Sequence, residues 1–133
     1  MNVQEYIRED GSNPYQTWLD GLNAMAAVKV TIARSRLELG NMSNVKWFDG
    51  IGEYRIDWGP GYRIYLVQDG QDLIMLFGGG TKKRQQSDID QALRLNQEYQ
   101  QRKQKMRDEA AQPEEEQKTQ KNNQRKKRSY KCF

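Results

Sequence analysis

Two kinds of apolar spacing divide the chain. Between Pro14 and Leu39 apolar residues recur at helical intervals, whereas between Tyr54 and Phe77 they fall in short runs rich in aromatic and β-branched side chains, the composition of strands. VQEYIRE near the start reads as a short strand. Ser12-Asn13-Pro14 then starts a helix, with Asn13 as N-cap and Pro14 at the first helical position, where its missing N–H costs nothing. This helix carries Trp18, Leu19 and Leu22 and ends near Gly21 to Asn23. A second helix is predicted from about Ala24 to Leu39, with Met25, Val28, Ile32 and Leu39 on one stripe and Gly40 as its stop. The two together predict a helical hairpin with one apolar face.

Three strands follow, at about 53–58, 61–67 and 72–77. Asp69-Gly70 can take the positive φ values of a two-residue hairpin turn. That turn pairs Ile64 with Met75, Leu66 with Leu73 and Tyr62 with Phe77, and leaves Arg63, Tyr65, Ile74 and Leu76 on the opposite face. Parity also constrains the Gly59-Pro60-Gly61 turn, because a one-residue slip moves every side chain to the other face. An odd turn keeps Ile56 with Ile64 and places Arg55 and Asp57 beside Arg63 and Tyr65. The arginines then stand on a sheet face away from the helices. Ser87-Asp88-Ile89-Asp90 resembles a capping box and starts a last helix, docked by Ile89, Ala92 and Leu93 and almost wholly polar beyond Tyr99.

From about residue 108 the composition changes. An acidic block, Glu114 to Glu116, precedes a basic one, Arg125 to Arg128, with almost no apolar residues. Such a segment cannot bury enough surface to offset its ordering entropy. The chain therefore divides into a body, 1–107, and a charged, disordered or partly helical tail, 108–133. Over the full 133 residues the net charge is +4, with 35% hydrophobic and 30% charged residues. The chain lacks histidine, and its one cysteine is Cys132. An intramolecular disulfide and a cysteine metal cluster are thus excluded, and acid–base chemistry must run on Asp, Glu, Lys or Tyr. With no apolar run of about 18 residues and no signal-peptide pattern at the start, the sequence reads as a soluble cytoplasmic protein with no membrane partner.

One charge cluster stands out. Arg55, Asp57 and Arg63 have an ordinary reading as a cross-strand ion pair with a spare cation. Three features favour a nucleic-acid site instead. Arg63 and Tyr65 set a phosphate-binding fork beside a stacking ring. Gly78 to Gly80 allow close backbone approach. Lys82, Lys83 and Arg84 follow directly, just ahead of a helix N-terminus.

The order of these elements, with the motifs GEYRIDWGPGYRIYL and LFGGGTKKRQQSDIDQA, resembles the RelE/ParE superfamily of bacterial toxins, and most closely its HigB-like branch of phage-related addiction-module killer proteins. The resemblance covers roughly residues 1–100. It implies an α+β fold of RelE type: a small antiparallel sheet with an N-terminal helical hairpin and a C-terminal helix. It also implies the toxin of a type II toxin–antitoxin system, an mRNA interferase that inhibits translation by cleaving mRNA, free or on the ribosome, without metal or cofactor. Its partner would be a cognate helix-turn-helix antitoxin. The alternatives are a non-catalytic DNA gyrase inhibitor, as in the ParE branch, and an inactive relic. Carried over residue by residue, the strand arginine falls on Arg63, the basic pair after the last strand on Lys82 and Lys83, and the cation of the preceding strand on Arg55. Two positions depart from the pattern. Asp57 stands where some members have a second basic residue, and Ile89 near where some have a tyrosine. Asp57 as catalytic base, or Tyr65 as a stacking residue, is the expected substitute, and Arg55 and Arg84 are expected as further RNA contacts.

Overall fold

The structure is a computed structural model, and it describes residues 1–111. The order is β1 (Asn2–Glu5), α1 (Pro14–Asp20), α2 (Ala24–Glu38), β2 (Val45–Phe48), β3 (Ile51–Ile56), β4 (Tyr62–Asp69), β5 (Leu73–Thr81) and, after a 3₁₀ turn at Lys82–Arg84, α3 (Gln85–Ala110). The fold is α+β. Its sheet runs β1-β5-β4-β3-β2, antiparallel from β2 to β5, with β1 added parallel to β5. Residues Met1–Tyr99 form one compact unit. α3 continues through the expected boundary at residue 107, and the remainder of the predicted tail, from residue 112, lies outside the described residues. Among the described residues no helix is long and apolar enough to cross a membrane.

The helix signals act as their chemistry requires. Asn13 Oδ1 accepts from the Gln16 N–H at 3.0 Å and Asn23 Oδ1 from the Ala26 N–H at 2.9 Å, each satisfying one orphan donor of a first turn. At the end of α2, Gly40 takes φ +85°. The Gly40 and Asn41 N–H groups then close on Leu37 and Arg36 carbonyls at 2.8 and 2.9 Å, a Schellman stop.

Both sheet faces are buried. Ile64, Leu66, Ile74 and Leu76 pack with Tyr54 and Val3 against Tyr15 of α1 and Val30, Ala33 and Leu37 of α2. On the other face Val67, Met75 and Phe77 meet Leu95 and Tyr99, and Ile51 and Tyr65 meet Ala92, all from α3. Each fully buried Leu or Ile here contributes about 1.5–3 kcal/mol.

Several expectations are corrected. The β4–β5 loop holds three residues rather than two: Asp69 pairs with Leu73 and Leu66 with Leu76, and a bulge after Tyr65 then sets Tyr65 opposite Gly78 and Arg63 opposite Gly80. The odd shift moves Ile74 and Leu76 to the face of Ile64. The β3–β4 turn is odd as expected, so Arg55 pairs directly with Arg63. That face is not open, however, because α3 covers it. On α2 the buried stripe is Ala26, Val30, Ala33 and Leu37, while Met25, Val28, Ile32 and Leu39 are exposed. The helix is apolar on two sides, and spacing alone could not choose between them. α3 starts at Gln85, two residues before the expected cap; the Ser87 hydroxyl donates to the Arg84 carbonyl at 3.1 Å instead of capping.

Candidate functional site

Strand parity puts Arg55 directly across from Arg63, an arrangement that like charge disfavours. One step along, the sheet supplies the remedy. Glu53 pairs with Tyr65 on the same face and is wholly buried, at 0% exposure. Its Oε1 accepts from Arg55 Nε at 3.0 Å, and its Oε2 accepts from the Tyr65 hydroxyl at 3.2 Å and from Gln85 Nε2, at the start of α3, at 2.8 Å. Arg63 Nε lies 3.7 Å from Oε2, an ion pair too long for a hydrogen bond, and Nε has no other partner. A buried carboxylate must be paired or it neutralises. Here two arginines, a phenol and an amide surround it.

The exposed ends of the cluster point to one edge. Arg55 is 44% exposed at its side chain and Arg63 only 10%. Arg63 Nη1 donates to the Gly61 carbonyl at 3.1 Å, and the same oxygen accepts the Lys82 N–H at 2.9 Å. One carbonyl thus fixes Arg63 relative to the turn Lys82–Arg84, whose three cations are exposed and make no ion pair with the described residues.

Tyr65 is 1% exposed, so its ring is core and offers no stacking surface. Burial, and then the adjacent Glu53 carboxylate, push its phenol well above the ordinary range, which keeps it a donor to Glu53. Asp57 lies in the loop after β3, in the wall of a cavity of about 220 Å³ shared with Lys29, Arg36, Arg55 and Trp58. The carboxylate among Arg55, Arg63 and Tyr65 is Glu53, not Asp57. The glycines serve neighbouring side chains. A Cβ on Gly79 would sit 2.4 Å from the Trp18 ring and 2.4 Å from the Arg63 carbonyl, and one on Gly80 would sit 1.8 Å from Asp88 Oδ2. Gly78, at φ +140°, follows the bulge.

The structure thus brings Arg55, Arg63, Tyr65, Lys82, Lys83 and Arg84 to one end of β3, β4 and β5, while Asp57, in the loop beyond β3, shares a cavity wall with Arg55 but not with Arg63 or the Lys82–Arg84 turn. Glu53 and Gln85 were missed. The parity that joins Arg55 to Arg63 also carries Glu53, two residues earlier on the same strand, so its place was available. Gln85 was hidden by the late helix start.

The chain matches no family model. It is similar to an uncharacterized protein of Haemophilus influenzae, 43% identical over 86 residues that span 63% of this chain and 87% of the relative.

Proposed function

We propose that this chain, which belongs to one family with the Haemophilus influenzae protein, is the toxin of a type II toxin–antitoxin pair and acts as a metal-independent endoribonuclease on mRNA. The observation that carries this reading is the buried Glu53 tying Arg55 and Arg63 together beside the exposed cations of Lys82–Arg84. Preorganised cations of this kind can hold an RNA backbone and stabilise charge that builds on a phosphate in the transition state. In the reaction the 2′-oxygen, giving up its proton, attacks the neighbouring phosphate, the P–O5′ bond breaks, the departing 5′-oxygen takes a proton from water, and a 2′,3′-cyclic phosphate remains. Arg55, Lys82, Lys83 and Arg84 contact the phosphates, and Arg63, held by Glu53 and Gly61, stands behind them at the scissile position. Asp57, exposed beside Arg55 and without a hydrogen-bond partner among the described residues, takes the hydroxyl proton. Glu53 is a positioning residue, because its oxygens are already filled.

The test is to incubate the purified chain with mRNA, with and without ribosomes, and to assay gyrase supercoiling in parallel. RNA cleavage lost in Arg63→Ala supports the reading. Gyrase inhibition without cleavage replaces it by the binding alternative.

A further inference from the structure

The cavity of about 220 Å³ that holds Asp57 in its wall lies between α2 and the end of β3. β2 begins at Val45, opposite Tyr54. Beyond Arg55, whose N–H reaches the Asn44 carbonyl at 3.1 Å, no described strand covers the outer edge of β3. Lys29 and Arg36, about two turns apart on α2, line the open space together with Arg55. Cations from two elements thus converge on one concavity, against the single carboxylate of Asp57.

The fold does not use the two α2 cations as ion pairs. Arg36 is exposed, and among the described residues neither it nor Lys29 has an ion-pair or side-chain hydrogen-bond partner. Lys29 Nζ lies 5.7 Å from the centre of the Trp58 ring, itself part of the wall. Arg55 commits its Nε to Glu53, and no described residue accepts from its Nη groups. Like charges gathered this way repel, and a concave wall of one sign draws in an anion.

We propose that this cavity is the subsite for the RNA phosphate one nucleotide 5′ of the scissile one, held by Lys29 and Arg36. The inference rests on the reading of the chain as a ribonuclease and gives the bound strand a direction. The attacking 2′-hydroxyl belongs to the nucleotide on the 5′ side of the scissile phosphate. With the scissile phosphate at Arg63 on β4 and the hydroxyl at Asp57 beyond β3, the strand crosses toward the outer edge of β3 as it runs to its 5′ end. The next phosphate then falls past Asp57, in the space that Lys29 and Arg36 line. Arg55, common to the Glu53 cluster and to this cavity, bridges the two positions. The 3′ continuation of the strand passes over Lys82–Arg84.

Three dinucleotides with a 2′-deoxy sugar at the first position, which cannot be cleaved, test the assignment: one plain, one carrying a 5′-phosphate and one a 3′-phosphate. Affinities are read from amide and indole NMR of the full chain at low salt. The 5′-phosphate is expected to tighten binding about 10-fold and to shift the Trp58 indole, and Lys29→Gln/Arg36→Gln should lose that gain. The gain from the 3′-phosphate should be lost instead in Lys82→Gln/Lys83→Gln. All four side chains are at least partly exposed, so both variants should keep the dispersed amide spectrum of the folded chain. A 5′-phosphate that adds nothing, a gain that survives Lys29→Gln/Arg36→Gln, or an exchange of the two dependences would each overturn the proposal. So would inorganic phosphate or a hexaglutamate peptide binding at Trp58 as tightly as the 5′-phosphorylated dinucleotide, the marks of an unselective anion site and of a surface for an acidic protein. The expected pattern without cleavage of mRNA would uphold the subsite and sink the nuclease reading, whereas cleavage without the 5′-phosphate gain would do the reverse.

Discussion

Replacing Glu53 by Gln changes one atom in a side chain with no solvent exposure. An amide oxygen at the Oε2 position can still accept from Tyr65 and Gln85, but the amide nitrogen then faces Arg55 Nε, donor against donor. Arg55, 44% exposed, turns to water at little cost. Arg63, with 10% exposure, cannot, and loses the carboxylate 3.7 Å away. Breaking a buried pair costs about 3–5 kcal/mol when both partners are dry. Because Arg55 is rehydrated and Arg63, already 3.7 Å from the carboxylate, keeps its bond to the Gly61 carbonyl, a loss at or below the lower end of that range, about 2–3 kcal/mol, is expected. For a unit of this size that is a fall in Tm of roughly 10–20 °C. Glu53→Ala, which also strands the Tyr65 hydroxyl and leaves a cavity, should cost more, about 4–5 kcal/mol. Calorimetry of the single variants and of Glu53→Gln/Arg63→Met measures the coupling, and the double variant should lose less than the sum of the singles. A Tm for Glu53→Gln within about 2 °C of wild type, well inside the shift argued from burial, would refute the claim that this carboxylate holds the cluster together.

Arg63→Ala should reduce RNA cleavage about 10²–10³-fold, with Arg63→Lys nearer to Ala than to wild type because a point charge cannot replace the fork; rates normalised to the folded fraction check it, since Arg63 also pairs with Glu53. Gly79→Ala should lower stability by at least about 1–3 kcal/mol, as the new Cβ meets the Arg63 carbonyl and the Trp18 ring at 2.4 Å; unfolding in urea reads this directly. The Asp88 carboxyl is raised, so its contribution to stability is fully present below the unfolded value near 3.8 and is lost as pH rises through the folded value. Asp88→Asn should therefore melt above wild type at neutral pH, with a difference that shrinks as the pH falls toward the unfolded value; a difference independent of pH would contradict the assignment.

Local chemistry was legible in the sequence where the chain itself supplied both partners. Asn13 with Pro14, and Gly40 after α2, mark helix ends that depend on a few adjacent residues. The odd β3–β4 turn followed from keeping Arg55 out of the core with Ile56. Elements decided by packing were harder to read. Val45–Phe48 is a short edge strand with mixed composition, and it becomes a strand through its pairing with β3. The β4–β5 register depended on one extra loop residue and a bulge, which alternation cannot distinguish when both faces are apolar. Covering both faces is also why Arg63 and Tyr65, correctly placed together, are buried rather than open. Glu53 went unnoticed because a lone glutamate in a strand reads as solvent-facing until its neighbours are known to be cations.

The most direct test of the central claim is the chemistry of the RNA ends. Purified chain, incubated with a 5′-labelled mRNA fragment with and without ribosomes in the presence of a chelator, is predicted to yield products ending in a 2′,3′-cyclic phosphate, with cleavage reduced about 10²–10³-fold in folded Arg63→Ala. Products with 3′-hydroxyl ends, or undiminished cleavage by Arg63→Ala, would contradict the assignment of the Glu53–Arg63 cluster as the site. Absence of cleavage under both conditions by folded wild-type protein would contradict the nuclease reading itself.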